Sequence, residues 1–356
     1  MKTAIVCNTP LQVMNALNIV INDVECCKND CDLYLIMNFR DSDRIADRVE
    51  TTELFRHVFR FRSTGEKITS FIDLLSSRKI LSTYEFSDRS FMDMRYDNLF
   101  VSDRNLLGVA LNYISRCRNV YVFDDGIATY SGNSISDPSN YRYPFLNRLF
   151  RSDVLSYKIR KLFVNNKEFC RSQISDHIEQ LPLLGKKNPV FEVLMRVFDF
   201  NVSSEIATKK VIVLEQPLDK KENYNQKKFK EILDEASVDT SDTLVRLHPV
   251  QKDIEYGDYR IDHINNLWEL ECIKSISNEH TLISFYSSAQ FSPKLIAGKE
   301  PYVVFLYKLF LSRYDSRECQ MFEKMVNEFK ESYEDDGKIF VPENIDELKE
   351  IIKKRG

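Results

Sequence analysis

The sequence predicts an α/β protein built as two parallel-sheet halves in tandem, and three observations carry that expectation. Short runs rich in Val, Ile, Leu and aromatic residues alternate with longer stretches whose apolar residues recur at helical spacing. That alternation is the pattern of strands joined by helical crossovers. The pattern runs through the first 190 residues and restarts at Lys209. The residues best suited to chemistry fall where apolar runs end: Asp124 and Asp125, His248, Ser287 and Ser288. In open α/β sheets the carboxyl ends of strands are where ligands bind. Each half therefore reads as Rossmann-like, and two such halves suggest a cleft between them. A chain of 356 residues suits two domains of roughly 150 to 200 residues each.

In the first half, residues 2–7 (KTAIVC) read as a strand broken by Asn8-Thr9-Pro10. Thr9 suits a helix N-cap with Pro10 at the first helical position, and Val13, Ala16, Leu17 and Val20 follow at helical spacing. The opening lacks G-x-G-x-x-G, which argues against a dinucleotide site. Residues 33–37 (LYLIM) form a second apolar run and 41–49 a polar helix. Strands at 58–61 and 99–101 and helices at 71–81 and 106–114 lead to residues 120–126 (VYVFDDG), a buried-strand run ending in two carboxylates and a glycine. A loop rich in Ser, Gly, Asn and Pro follows at 130–138. It suits a segment that folds over a ligand, and equally a plain surface connection. Residues 141–163 mix aromatic with basic side chains, Arg148 and Arg151 among them. Such a stretch suits an anionic membrane surface, an acceptor groove, a homodimer contact or an amphipathic helix against the core. Residues 165–205 read as mixed and helical. The first domain is placed at 1–190, with a linker at 191–208.

The second domain, 209–356, opens with the strand 209–214 (KKVIVL). A helix at 228–236 and a strand at 244–247 lead to His248-Pro249. A helix or turn-plus-helix at 267–276 precedes the strand 281–286 (TLISFY), then Ser287-Ser288 and a helix at 289–297. A strand at 302–306, a helix at 316–332, a strand at 339–341 and a helix at 345–353 complete it.

Composition excludes several classes. Lys and Arg number 50 against 54 Asp and Glu, a net charge of −4, which lacks the basic excess of a nucleic-acid binder. The eight cysteines show neither disulfide nor zinc spacing, although Cys26, Cys27 and Cys31 cluster. Cys7, Cys117 and Cys272 stand in apolar contexts and read as buried thiols, which suits a reducing compartment. The opening MKTAIVCNTP has too short an apolar run for a signal peptide. No run is long enough for a membrane span. A cytoplasmic location is expected, with peripheral contact at the inner face of the plasma membrane as one use of residues 141–163.

Adjacent residues on a strand point to opposite faces, so only one of Asp124 and Asp125 can project into a given site while the other braces the loop. A carboxylate there can take a proton from an alcohol, although Asp-Gly is equally a turn signal. His248 can act as an acid or pair with a phosphate, or serve as a structural histidine. Ser287 and Ser288 suit either a phosphate site or an ordinary cap. Gln12, in the first helical turn beside the strand edge, could hydrogen-bond a ligand or stand as a surface polar residue. One base, one acid and one phosphate cradle are what transfer from a nucleotide donor requires.

The combination of Asp124-Asp125-Gly126, His248-Pro249 and Ser287-Ser288, in that order and at that wide spacing, resembles the bacterial sialyltransferases of glycosyltransferase family 52, and more loosely other bacterial sialyltransferases and polysialyltransferases. Thr9-Pro10-Leu11-Gln12 and Glu215-Gln216-Pro217-Leu218 are similar to segments of that family. The resemblance implies a GT-B fold, two Rossmann-like domains with parallel sheets facing a central cleft. It implies CMP-sialic acid as donor substrate, no cofactor, no required metal, and inversion at the anomeric carbon. The acceptor would be a galactose-ended glycan of lipooligosaccharide or capsule type. Asp125 would be the base, with Asp219, near the start of the second domain, the alternative. His248 would protonate or stabilise the departing phosphate, which Ser287 and Ser288 would hold. Glu269 or Glu271 would meet the nucleoside. A GT-B enzyme with another nucleotide sugar and a non-catalytic glycan- or nucleotide-binding protein are the rival readings.

Overall fold

The computed structural model describes residues 1–26, 28, 30–68, 71–74, 76–102, 105–130, 159–170, 177–216, 226–248, 256–264, 266–310 and 317–355. The chain divides into two compact units, Met1–Asp199 and Phe200–Gly356.

The first unit carries β1 (Thr3–Cys7), β2 (Cys31–Ile36), β3 (Val58–Ser63), β4 (Tyr84–Glu85), β5 (Asn98–Val101), β6 (Asn119–Phe123), β7 (Ile159–Val164) and β8 (Ile178–Gln180). They form one sheet in the order β4-β3-β2-β1-β5-β6-β7-β8. The pairing is parallel except for the antiparallel edge of β3 with β4. All of β1 and β2 and most of β6 are buried. That is why they read as near-continuous apolar runs rather than alternating ones: helices cover both faces of a parallel sheet. The chain steps outward from β1 to β2 and β3, then returns to the other side of β1 with β5. Between β1 and β5 the winding reverses, and such a switch point opens a crevice at the strands' carboxyl ends.

The second unit repeats the plan without repeating the sequence. Its strands are β9 (Val211–Leu214), β10 (Thr243–Arg246), β11 (Arg260–Ile261), β12 (Thr281–Ser284), β13 (Tyr302–Phe305) and β14 (Ile339–Phe340). Their order is β11-β10-β9-β12-β13-β14, all parallel, with the reversal between β9 and β12. Ile206, Ile212, Leu214, Leu244, Trp268, Cys272, Ile276 and Leu282 pack as one cluster in its core.

Some elements differ from the sequence expectation. Residues 159–163, the end of the stretch read as aromatic and possibly helical, belong to strand β7 (Ile159–Val164), with Leu162, Phe163 and Val164 buried beside β6. The remainder of 141–163 lies outside the described residues. Residues 178–180 and 260–261 are short edge strands, too brief to show a period. The helix expected at 71–81 is two pieces, Phe71–Leu74 and Ser77–Leu81, the second capped by the Ser76 side chain. The stretch read as a linker, 191–208, begins as the helix Val190–Val197, whose Val190, Phe191, Leu194 and Val197 are buried. It ends at Ile206, in the core of the second unit. Cys7, Cys117 and Cys272 are buried free thiols, as their surroundings in the sequence suggest.

Candidate functional site

In the first unit the site is built by the end of β6 and the first turn of the helix Pro10–Ile21. Thr9 takes an extended conformation, and its hydroxyl accepts from the Gln12 N–H at 3.3 Å. Pro10 supplies the fixed φ that starts a helix. The helix is buried without a break from Gln12 to Val20. Its Gln12, Asn15 and Asn18, three residues apart, are fully buried, so this apolar helix carries a polar seam. Asn15 Nδ2 donates to the Asp124 carbonyl at 3.0 Å and Asn18 Nδ2 to the Pro182 carbonyl at 2.7 Å. Gln12 Oε1 accepts from the Asn8 N–H at 2.7 Å, and its Nε2 donates to Asp125 Oδ1.

The two aspartates are separated in role. Asp124 is buried. Its Oδ1 accepts from the Gly126 N–H at 2.7 Å. Its Oδ2 accepts from the Asn165 N–H at 3.0 Å, from Asn165 Nδ2 at 2.9 Å and from the Tyr130 hydroxyl. Burial pushes the Asp124 carboxyl up, and these donors pull it back. Burial, with the Asp124 charge beside it, holds the Tyr130 phenol well above its ordinary range. Asp124 is thus the brace that ties β6 to β7 and to the helix after it. Asp125 is half-buried, and its N–H donates to Thr129 Oγ1 at 2.9 Å. Gly126 permits the turn: its φ of +92° belongs to the region glycine favours, and a Cβ there would touch Leu11 Cδ2 at 3.6 Å.

In the second unit the candidates gather at the ends of β9, β10 and β12. Glu215 is buried, and its Oε2 accepts from the Gln216 N–H at 3.0 Å. Gln216 Oε1 accepts from Ser284 Oγ at 3.1 Å and from the Tyr286 N–H at 2.9 Å. Gln216 therefore fastens the end of β9 to the end of β12 across the switch point. Ser287 caps the turn Ser288–Gln290, accepting from the Ala289 N–H at 3.3 Å, while Ser288 is exposed. The helix expected at 289–297 is divided into this turn and Ser292–Ala297.

His248 lies just past β10 and is exposed. Partial desolvation still lowers its pKa below the ordinary histidine value. Arg246, at the end of the same strand, donates to Asp262 Oδ2 at 2.7 Å and to the Asn266 carbonyl. Its guanidinium stands 5.4 Å from the Trp268 ring centroid, and Trp268 Nε1 donates to the Ala289 carbonyl at 2.8 Å. Strand β10 is thereby linked through the helix Trp268–Lys274 to the serine turn. Within that helix Glu271 is fully buried, and Asn266 Nδ2 donates to it at 2.6 Å. Glu269 keeps part of its surface in solvent, and desolvation pushes its carboxyl up. Asp219 and Pro249 lie outside the described residues.

Asn15, Tyr130, Asn165, Asp262 and Asn266 join the site without standing among the candidates that the sequence singles out. The signal for Asn15 was available as polar residues recurring three apart in an otherwise apolar helix. Asn165 reaches Asp124 only through tertiary packing, whereas Asn266 meets Glu271 five residues on and Arg246 and Asn201 through packing. Among the described residues no cluster of three His, Cys, Asp or Glu side chains is placed to hold a metal ion. No described helix is long and apolar enough to cross a membrane.

No family model matches the sequence, and no curated protein does. Among solved structures the chain is similar to Arabidopsis thaliana UGT89C1 complexed with UDP-L-rhamnose (TM-score 0.53, 9% identity, 99% of this chain and 89% of that one). It is similar to a UDP-N-acetylglucosamine 2-epimerase (TM-score 0.50, 14% identity, 99% of this chain and 86% of that one). It is similar too to a sialyltransferase from Photobacterium damsela (TM-score 0.50, 9% identity, 96% of this chain and 81% of that one). Likeness at this distance speaks to architecture alone. The chain has the GT-B fold, two Rossmann-like α/β units with parallel sheets.

Proposed function

We infer that the protein is an inverting glycosyltransferase that moves sialic acid from CMP-sialic acid to a hydroxyl of a galactose-ended glycan. One observation carries the reading. At the end of β6 one aspartate is consumed by the fold, while its neighbour Asp125 is only half-buried and held by Gln12 and Thr129. A carboxylate prepared in this way suits a base. The acid and phosphate groups that the reaction also needs, His248 and Ser287-Ser288, stand at the carboxyl ends of β10 and β12 in the second unit.

In the reaction Asp125 takes the proton of the acceptor hydroxyl as its oxygen attacks the anomeric carbon. The bond from that carbon to the phosphate oxygen breaks, and His248 gives that oxygen a proton as CMP departs. Ser287 and Ser288 offer hydroxyls to the phosphate, where charge builds in the transition state. Glu269 is the choice for the nucleoside, because it keeps part of its surface in solvent while Glu271 is fully buried. Asp219 is the alternative base. Buried free thiols suit a cytoplasmic enzyme.

The test is a donor screen read by released nucleotide. We expect turnover with CMP-sialic acid, a loss of about 10²- to 10⁴-fold in Asp125→Asn, and a much smaller loss in Asp219→Asn. His248→Ala should lower kcat far more than donor affinity, because it acts on the leaving group. Turnover with a UDP-sugar and none with CMP-sialic acid would reject the donor assignment. Transfer unchanged in both Asp125→Asn and His248→Ala would reject the catalytic one.

A further inference from the structure

We propose that Gln12 is the positioning residue for Asp125, fixing both the direction and the charge state of that carboxylate. The inference rests on the reading of Asp125 as the base. Gln12 is fully buried, and both ends of its amide are engaged. The orientation of that amide is dictated rather than chosen. The Asn8 backbone N–H can only donate, so Oε1 must face Asn8 and the NH₂ is left for Asp125. The turn that delivers Gln12 is itself fixed by Pro10 and by the Thr9 hydroxyl, which accepts the Gln12 N–H at 3.3 Å.

The chemical choice matters. A neutral amide donor favours the ionised carboxylate and aims it, yet adds no positive charge. An arginine or lysine in the same place would hold the proton off so firmly that the carboxylate would be a poor base. Among the described residues, Cys7 and Asp124 are titratable groups beside Asp125. From β1, Cys7 is fully buried, and burial and the Asp125 charge both push its thiol up, so it stays neutral. From the same turn, Asp124 is occupied by Gly126, Tyr130 and Asn165.

The experiment follows the Asp125 carboxyl directly, by ¹³C NMR titration of protein labelled at aspartate Cγ. The resonance is identified by its loss in Asp125→Asn. Gln12→Glu keeps an acceptor for the Asn8 N–H and so retains the turn, but sets a second carboxylate against Asp125. Its Asp125 midpoint should rise by about one pH unit or more. Gln12→Met removes the donor without adding charge and should raise the midpoint by a smaller amount. A midpoint in Gln12→Glu equal to that of the parent overturns the proposal. The same proteins are assayed for transfer from CMP-sialic acid. If the midpoints move but the parent transfers nothing, the positioning role stands and the sialyltransferase reading falls. If transfer occurs and the midpoints do not move, the reverse holds. A residue that merely supported the fold would change the melting temperature and leave the titration where it was.

Discussion

Asp124 and Asp125 are one peptide bond apart and meet opposite fates, which makes them a controlled comparison. Replacing Asp124 by Ala leaves the Gly126 and Asn165 N–H groups and the Tyr130 hydroxyl facing a site with no acceptor. We expect a stability loss of about 2–4 kcal/mol from orphaning such buried donors, measured by urea unfolding. Asp125→Asn should cost under about 1 kcal/mol by the same measurement, since an amide can still accept from Gln12. The reverse ranking would mean that the wrong aspartate has been assigned to chemistry. His248 adds a pH dependence. An acid must carry its proton, and desolvation places the His248 pKa below the ordinary value, which is about 6.5. The protonated form therefore dominates only below that pKa. The kcat/KM profile, which reports the free enzyme, should fall as pH rises through the window just under about 6.5, and His248→Ala should lose that basic limb. The aspartate pair, the histidine and the serines were legible because each ends an apolar run. Which aspartate is the brace was not legible, since Asn165 lies 41 residues away and meets Asp124 only through the β6–β7 pairing.

At the scale of elements, two polar arrangements do the fastening. One is the seam of Gln12, Asn15 and Asn18 on the first helix. The other runs from Arg246 to Asp262 and Asn266, and from Asn266 to Glu271. The first helix follows from its apolar period, because period reports which face meets the sheet, and the second lies within the helix or turn-plus-helix expected at 267–276. The sequence alone reads Gln12 as a ligand contact or a surface residue and weighs Glu271 against Glu269. A helix covered on both sides gives no exposed face against which to judge a polar residue, so the recurrence of Gln12, Asn15 and Asn18 stands in the sequence but their burial does not. Strand β7 escapes notice for a related reason: its first half, Ile159-Arg160-Lys161, carries two basic residues and is only partly buried, while Leu162, Phe163 and Val164 are buried. Arg246→Met provides a test of the second arrangement. It leaves Asp262, 5% exposed, as a buried carboxylate without its cation, a loss of about 3–5 kcal/mol. Urea unfolding measures it, and a cost below about 1 kcal/mol would show that the pair behaves as a surface bridge. Because Trp268 and the serine turn hang on the same strand end, the variant should also weaken CMP binding.

At the scale of the whole molecule, the two units share a plan and differ in what stands at their switch points. The reversal between β1 and β5 lies beside the half-buried Asp125; the reversal between β9 and β12 lies beside hydroxyls, with Glu215 buried against the Gln216 N–H and a histidine at the end of neighbouring β10. A phosphate carries negative charge, so the second set suits it and the first repels it. On the proposed function donor binding is expected in Phe200–Gly356, and this expectation can be examined without any acceptor or turnover. A ligand that binds only the folded state stabilises it by RT ln(1 + [L]/Kd), about 2.7 kcal/mol at a hundredfold excess over Kd. Hydrogen exchange locates that stabilisation. With CMP added, protection should rise at the ends of β9, β10 and β12 and at Ser287–Gln290, while β1 and β6 of the first unit exchange as before. Substituting Ser287 and Ser288 together by Ala should remove most of the effect; in the unliganded protein only the turn Ser288–Gln290, which loses the Ser287 cap, should exchange faster. Protection confined to Met1–Asp199 would reverse the assignment of the two units, and with it the placing of base and leaving-group acid.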